Sequence, residues 1–121
     1  MRPLIEIKRV YEKTAKTDGC RILVDRLWPR GVTKEAAAVD EWVKELAPTA
    51  ELRTWFGHDP EKWGEFQKRY KAELKANKGM GGFIEKHRNN KLLTLVYSNK
   101  DEKHTHARVL RDYLEKKFQE L

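Results

Sequence analysis

At 121 residues the chain has room for one core and is too short for two ordinary ones, so one unit over 1–121 is expected. No stretch reaches the roughly 20 apolar residues of a membrane helix, the start at Met1-Arg2-Pro3-Leu4 lacks a secretory apolar segment, and the lone Cys20 excludes both an internal disulfide and a cysteine-built zinc site. A cytoplasmic protein with no membrane partner is the expectation, and its net charge of +7 favours solubility and attraction to anions.

Leu4 to Val10 passes from apolar residues into the alternation Glu6-Ile7-Lys8-Arg9-Val10, which predicts a half-exposed edge strand. After Asp18-Gly19, the run Cys20-Arg21-Ile22-Leu23-Val24-Asp25 is short and mostly apolar, as a buried strand should be. About ten residues link the two, near the lower limit for a parallel crossover, so their relative direction stays open.

Val39, Trp42, Val43 and Leu46 recur at i, i+3, i+4 and i+7, which predicts a helix ending before Ala47-Pro48. Thr49 is placed to cap a short helix carrying Leu52, Trp55 and Phe56. Asp59-Pro60 pairs an N-cap acceptor with a first-turn proline and predicts a helix whose Trp63, Phe66, Tyr70 and Leu74 share a face.

Gly79, Gly81 and Gly82 are read as punctuation before a helix through Phe83, Ile84 and His87, followed by a second buried strand at Leu92 to Ser98. Asp101 is the expected cap of a final helix with Ala107, Leu110, Leu114, Phe118 and Leu121 on one face. Helices that separate apolar strands predict an α/β domain with a short, mostly parallel sheet flanked by helices.

In open α/β sheets ligands gather outside the carboxyl ends of the strands. Applied to the two buried strands, that rule gathers Asp25, Arg26, Arg30, Ser98, Lys100, Asp101, His104 and His106 around one cleft, provided the strands are parallel neighbours. Arg26 and Arg30 offer planar forks that match phosphate or carboxylate, and the last helix's N-terminus adds backbone donors. Arg26 could equally be locked to Asp25 or another acid. His104 or His106 beside Asp25 or Asp101 would titrate in the range that acid/base work at neutral pH needs. Ser98 beside such a histidine could serve as a nucleophile, but no Gly-x-Ser-x-Gly elbow surrounds it, and the expectation is a ligand hydrogen-bonding or helix-entry residue.

The four histidines, His58, His87, His104 and His106, do not make a metal motif: two residues apart on a helix, His104 and His106 would point about 160° from each other. The sequence leaves the identity of any cofactor unknown. Two basic stretches, Lys68 to Lys78 and Lys86 to Lys91, lack an aromatic ladder or a nucleic-acid motif, and Glu65 and Glu73 interleave with the first.

The block Arg21-Ile-Leu-Val-Asp-Arg-Leu-Trp-Pro-Arg-Gly31 closely resembles the YeaO-like family, also called domain of unknown function 488. Trp42-Val-Lys-Glu-Leu-Ala-Pro48, Leu52-Arg-Thr-Trp-Phe-Gly-His-Asp-Pro60 and Thr94-Leu-Val-Tyr-Ser-Asn-Lys-Asp101 resemble its other blocks, so the match spans nearly the whole chain. The resemblance implies a small bacterial-type cytosolic α/β protein. It also implies a polar signature at Asp25, Arg26, Arg30, Gly31, Lys34, Trp42, Trp55, His58, Ser98, Asp101, His104 and His106, with departures from the family pattern at Asn99 and Thr105.

The functional expectation is an anion-binding cleft for a phosphorylated, nucleotide-like or carboxylated ligand. Arg26, Arg30, Lys34, His58, Ser98 and Asp101 would bind it, and Asp25, His104 and His106 would carry any acid/base step. The alternatives are a nucleic-acid-binding module and a protein-interaction domain without chemistry.

Overall fold

The computed structural model describes residues 2–121. Four strands form one sheet in the order β1-β4-β2-β3, and every pairing is parallel. They are β1 (Leu4–Arg9), β2 (Cys20–Leu23), β3 (Glu41–Trp42) and β4 (Leu92–Tyr97). The helices are α1 (Lys34–Ala37), α2 (Ala50–Phe56), α3 (Trp63–Ala76), α4 (Met80–His87) and α5 (His106–Gln119). The α/β expectation holds, and β1 lies at a sheet edge. The question of direction is answered through β4, which lies between β1 and β2 and runs parallel to both.

Side chains alternate across the sheet, so the central strands feed two apolar clusters. Ile22 and Val24 join Leu93, Leu95 and Tyr97 in the main core, together with Phe66, Tyr70 and Leu74 of α3 and Leu110, Leu114 and Phe118 of α5. Leu23 and Val96 point to the other face, where Val10, Ala37 and the partly buried Trp28, Val32 and Val39 cover them.

That second face also holds a buried polar cluster. Arg21, opposite Thr94 in the register, is only 4% exposed. Its guanidinium donates to Asp18 Oδ2 at 2.7 Å and to the carbonyls of Ala37 and Ala38. Lys8 reaches Asp18 Oδ1 at 3.0 Å from β1.

Four expectations about elements are corrected. The Val39–Leu46 stripe is not a helix: Glu41 and Trp42 pair with Ile22 and Leu23 of β2, and Lys44–Leu46 form a single 3-10 turn. Main-chain pairing with the central sheet overrides a periodicity that only four residues support. Gly81 and Gly82 lie inside α4, behind the N-cap Gly79. Thr105, not Asp101, caps α5 by accepting from Ala107 N–H. Leu121 follows the end of α5 and is 62% exposed.

The other two helix starts behave as their caps predict. Thr49 Oγ1 accepts from Leu52 N–H, and Asp59 Oδ1 accepts from Glu61 N–H at a 3-10 turn, Pro60–Lys62, that runs into α3. No helix among the described residues is long and apolar enough to cross a membrane.

Candidate functional site

Parallel strands put all their carboxyl ends on one edge of the sheet, and the loops after the central strands β2 and β4 leave that edge side by side. A cavity of about 950 Å³ opens there. Its lining includes Asp25, Arg26, Arg30, Ser98, Lys100, Asp101, His104 and His106, together with His58 from the turn after α2. Lys34 is not part of it. Thr33 caps α1 so that Ala37 packs on the second face of the sheet, and the exposed Lys34 side chain belongs to that helix instead.

The loop after β2 is held rigidly from both sides. Trp42, the last residue of β3, donates Nε1–H to Asp25 O at 2.7 Å and so ties its partly exposed indole to the loop. Trp28 meets the Trp42 ring edge-on at 5.5 Å and donates Nε1–H to Val32 O. Arg26 donates Nε–H to Pro48 O at 2.9 Å and Nη2–H to Ala47 O at 3.1 Å, tying the loop to the entry of α2. It has no carboxylate partner among the described residues, so the pairing with Asp25 does not occur.

Asp25, Ser98 and His106 form the centre of the site. Asp25 Oδ2 accepts from Ser98 Oγ–H at 2.6 Å and from Ser98 N–H at 3.1 Å, so the serine hydroxyl is directed at a carboxylate and not at a base. His106 Nε2 lies 2.9 Å from Val24 O and 3.6 Å from Asp25 Oδ1. A carbonyl can only accept, so Nε2 carries the proton.

Burial pushes the His106 imidazole below the ordinary histidine range; Asp25 and the bond to Val24 pull the other way, and the charge of Arg53 adds to the lowering. The native state therefore binds fewer protons than the unfolded chain between that lowered value and about 6.5, and stability falls as pH drops below about 6.5. Urea midpoints measured across this range should fall more steeply for the wild type than for His106→Gln. Superimposable profiles would show that His106 is not the neutral group.

Asp101 and His104 make a second pair, with Nδ1 at 2.8 Å from Asp101 Oδ2. The other oxygen of Asp101 accepts from the main chain of Lys103 and His104, and these bonds, led by the imidazole, hold the Asp101 carboxyl below its usual range. The His104 ring stands edge-on to Trp63 at 5.4 Å, so α3 helps to orient it. His58 follows Gly57, and both have positive φ, 58° and 54° respectively, in the turn that closes α2. Among the described residues no three His, Cys, Asp or Glu side chains converge as a metal set.

Sequence reasoning missed Arg53. It projects from α2 into the lining, close enough to His106 for its charge to be felt there. Only the docking of α2 beside the β2 loop brings it in, and a solvent-facing arginine on a short helix carries no signal of its own. With Arg53 included, four cations line the cavity: Arg26, Arg30, Arg53 and Lys100. None of the four is paired with a carboxylate among the described residues, whereas Asp25 and Asp101 already have partners.

The comparisons with known proteins fall on the same segments. A family model described as "Inactive DUF488-N3 subclade" matches residues 4–121. YeaO of Escherichia coli (strain K12) is 44% identical over 110 residues, covering 91% of this chain and 96% of that protein. Rv3073c of Mycobacterium tuberculosis (strain H37Rv) and Mb3100c of Mycobacterium bovis are each 37% identical over 110 residues, covering 91% of this chain and 92% of theirs. No solved structure matches. With its strands, capped helices and cavity-lining loops all inside the matched span, the chain belongs to the YeaO-like DUF488 family.

Proposed function

We propose that the chain is a binding protein for a small phosphorylated or carboxylated ligand, held in the cavity at the carboxyl ends of β2 and β4. The observation that carries this reading is the convergence of Arg26, Arg30, Arg53 and Lys100 without an ion-pair partner among the described residues. Unpaired charges at one concave site are costly through mutual repulsion, and an anion relieves that cost. Two carboxylates remain in the lining, so the site carries two net positive charges and suits a dianion.

Binding without turnover fits the chemistry of the lining. Ser98 Oγ–H is occupied by Asp25, and the proton of His106 Nε2 is occupied by a main-chain carbonyl, so neither pair is arranged as a nucleophile with its base. The description of the matching subclade as inactive agrees with this. Asp101–His104 is the pair that an acid/base reading would use, because an imidazole oriented through Nδ1 leaves Nε2 to act. A cytoplasmic setting belongs to the same reading, since one unpaired thiol suits a reducing compartment.

The nucleic-acid alternative has less support. In the second basic stretch Lys86 pairs with Glu41 at 3.2 Å and Arg88 with Glu85 at 3.1 Å, and in the first Arg69 pairs with Glu65.

Titration calorimetry with inorganic phosphate tests the proposal. The wild type should bind saturably, and Arg53→Ala should weaken binding roughly 10- to 100-fold, the worth of one hydrogen bond to a charged group. Because Arg53 is exposed and makes no bond that holds the fold, the variant should keep the wild-type melting temperature. No binding by the wild type, or equal binding by the variant, would defeat the proposal.

A further inference from the structure

His106 has a second nitrogen that no described residue uses. Nε2–H is committed to Val24 O, and Nδ1 has no hydrogen-bond partner. Every fully buried side-chain nitrogen or oxygen in the described structure is partnered. Nδ1 therefore keeps some exposure, and His106 is a cavity-lining residue with 16% of its side chain accessible. The charged and titratable groups around the ring are Asp25 from the end of β2, Arg53 from α2 and Tyr70 from α3, whose ring lies 6.1 Å away edge-on. Tyr70 directs its own hydroxyl to Leu46 O and offers the imidazole nothing. Burial keeps the ring neutral near pH 7, so Nδ1 presents a lone pair.

The cavity thus combines donors for an anion with one neutral acceptor on the same wall. A fully ionised oxyanion has no proton to offer that acceptor and would set two lone pairs against each other. We propose, resting on the anion-binding reading above, that the ligand is a phosphoryl group that still bears a proton, and that its P–O–H donates to His106 Nδ1 while its remaining oxygens accept from Arg30 and Arg53. His106 is then a specificity-determining residue that separates hydrogen phosphate from sulfate. No bond is made or broken and no proton leaves the ligand, so the inference holds for a protein that only binds.

Hydrogen phosphate and sulfate provide the test, because in slightly alkaline buffer both are tetrahedral dianions and only phosphate carries an O–H. Phosphate should bind about tenfold or more tightly than sulfate, since a site built to accept a donor rejects the analogue that lacks it. Nitrogen NMR of the wild type supplies a readout that needs no variant: the His106 Nδ1 resonance should move on adding phosphate and stay in place on adding sulfate. His106→Phe, which removes the acceptor, should bring the two affinities together by weakening phosphate. Equal affinities in the wild type, or an Nδ1 signal indifferent to phosphate, overturn this inference and leave the anion cavity standing. Absence of binding by either ion overturns both.

Discussion

Asp18→Ala is expected to cost about 3–5 kcal/mol of stability, a large part of the 5–15 kcal/mol that a domain of this size commands. Asp18 is 7% exposed and anchors two cations, Lys8 at 3.0 Å and Arg21 at 2.7 Å, while its Oδ2 also accepts from Ala15 N–H. Removing the carboxylate leaves Arg21, 4% exposed, with carbonyl partners but no counter-charge. An uncompensated charge buried on the face of the sheet is the expensive outcome, more so than the lost attraction itself. The urea midpoint should fall sharply with an unchanged slope, and a loss below about 1 kcal/mol would show that water reaches Arg21 and solvates it.

The same carboxylate shapes the acid limb. Burial alone would raise its pKa, but the bonds from Ala15, Lys8 and Arg21 outweigh burial and hold the group below its ordinary value. Its contribution is present above the ordinary aspartate range near pH 4 and is lost as pH falls through the lower native value. The variant should show a flatter decline there than the wild type.

The elements visible in the chain were those whose residues act locally. The runs Cys20–Asp25 and Leu92–Ser98 are apolar because both faces of the central strands are covered, and that alone marks them as strands. Thr49 and Asp59-Pro60 mark helix starts because capping involves only neighbours in sequence. What stayed hidden depends on distant partners. Two residues of β3 cannot show an alternation, and their pairing is decided by β2. Arg21 interrupts the apolar run of its strand, and what lets it stay buried, Asp18 and the carbonyls of Ala37 and Ala38, is seen only in the fold.

The site divides in the same way. Asp25, Arg26 and Arg30 share one loop, and Ser98, Asp101 and His104 lie on another that leads into His106 at the start of α5, so a rule about strand ends gathers both groups once the strands are neighbours. Arg53 lies outside that rule, and Lys34 enters the set only through the family resemblance. Arg53 is brought in by helix docking, and Lys34 is turned away by a cap at Thr33. Thr105 is legible only in the folded chain, as the residue that accepts from Ala107 N–H and starts α5.

Replacing Arg30 and Arg53 together should abolish measurable phosphate binding, a loss on the order of 1,000-fold if each contributes about 2 kcal/mol through a charged hydrogen bond. Arg26 is deliberately kept in this variant. Its guanidinium ties the loop to Ala47 O and Pro48 O, so Arg26→Ala would disturb the cavity wall as well as its charge and could not separate the two effects. Arg30 and Arg53 are both exposed at the rim, and neither side chain holds a described element in place. The double variant should therefore melt at or above the wild-type temperature in phosphate-free buffer, because two uncompensated positive charges have been taken from one concave surface. In phosphate the order should reverse, since only the wild type gains stability by mass action. A variant that melts lower in both buffers would mean that these arginines support the fold, and the cavity would then be a charged cleft with a structural purpose.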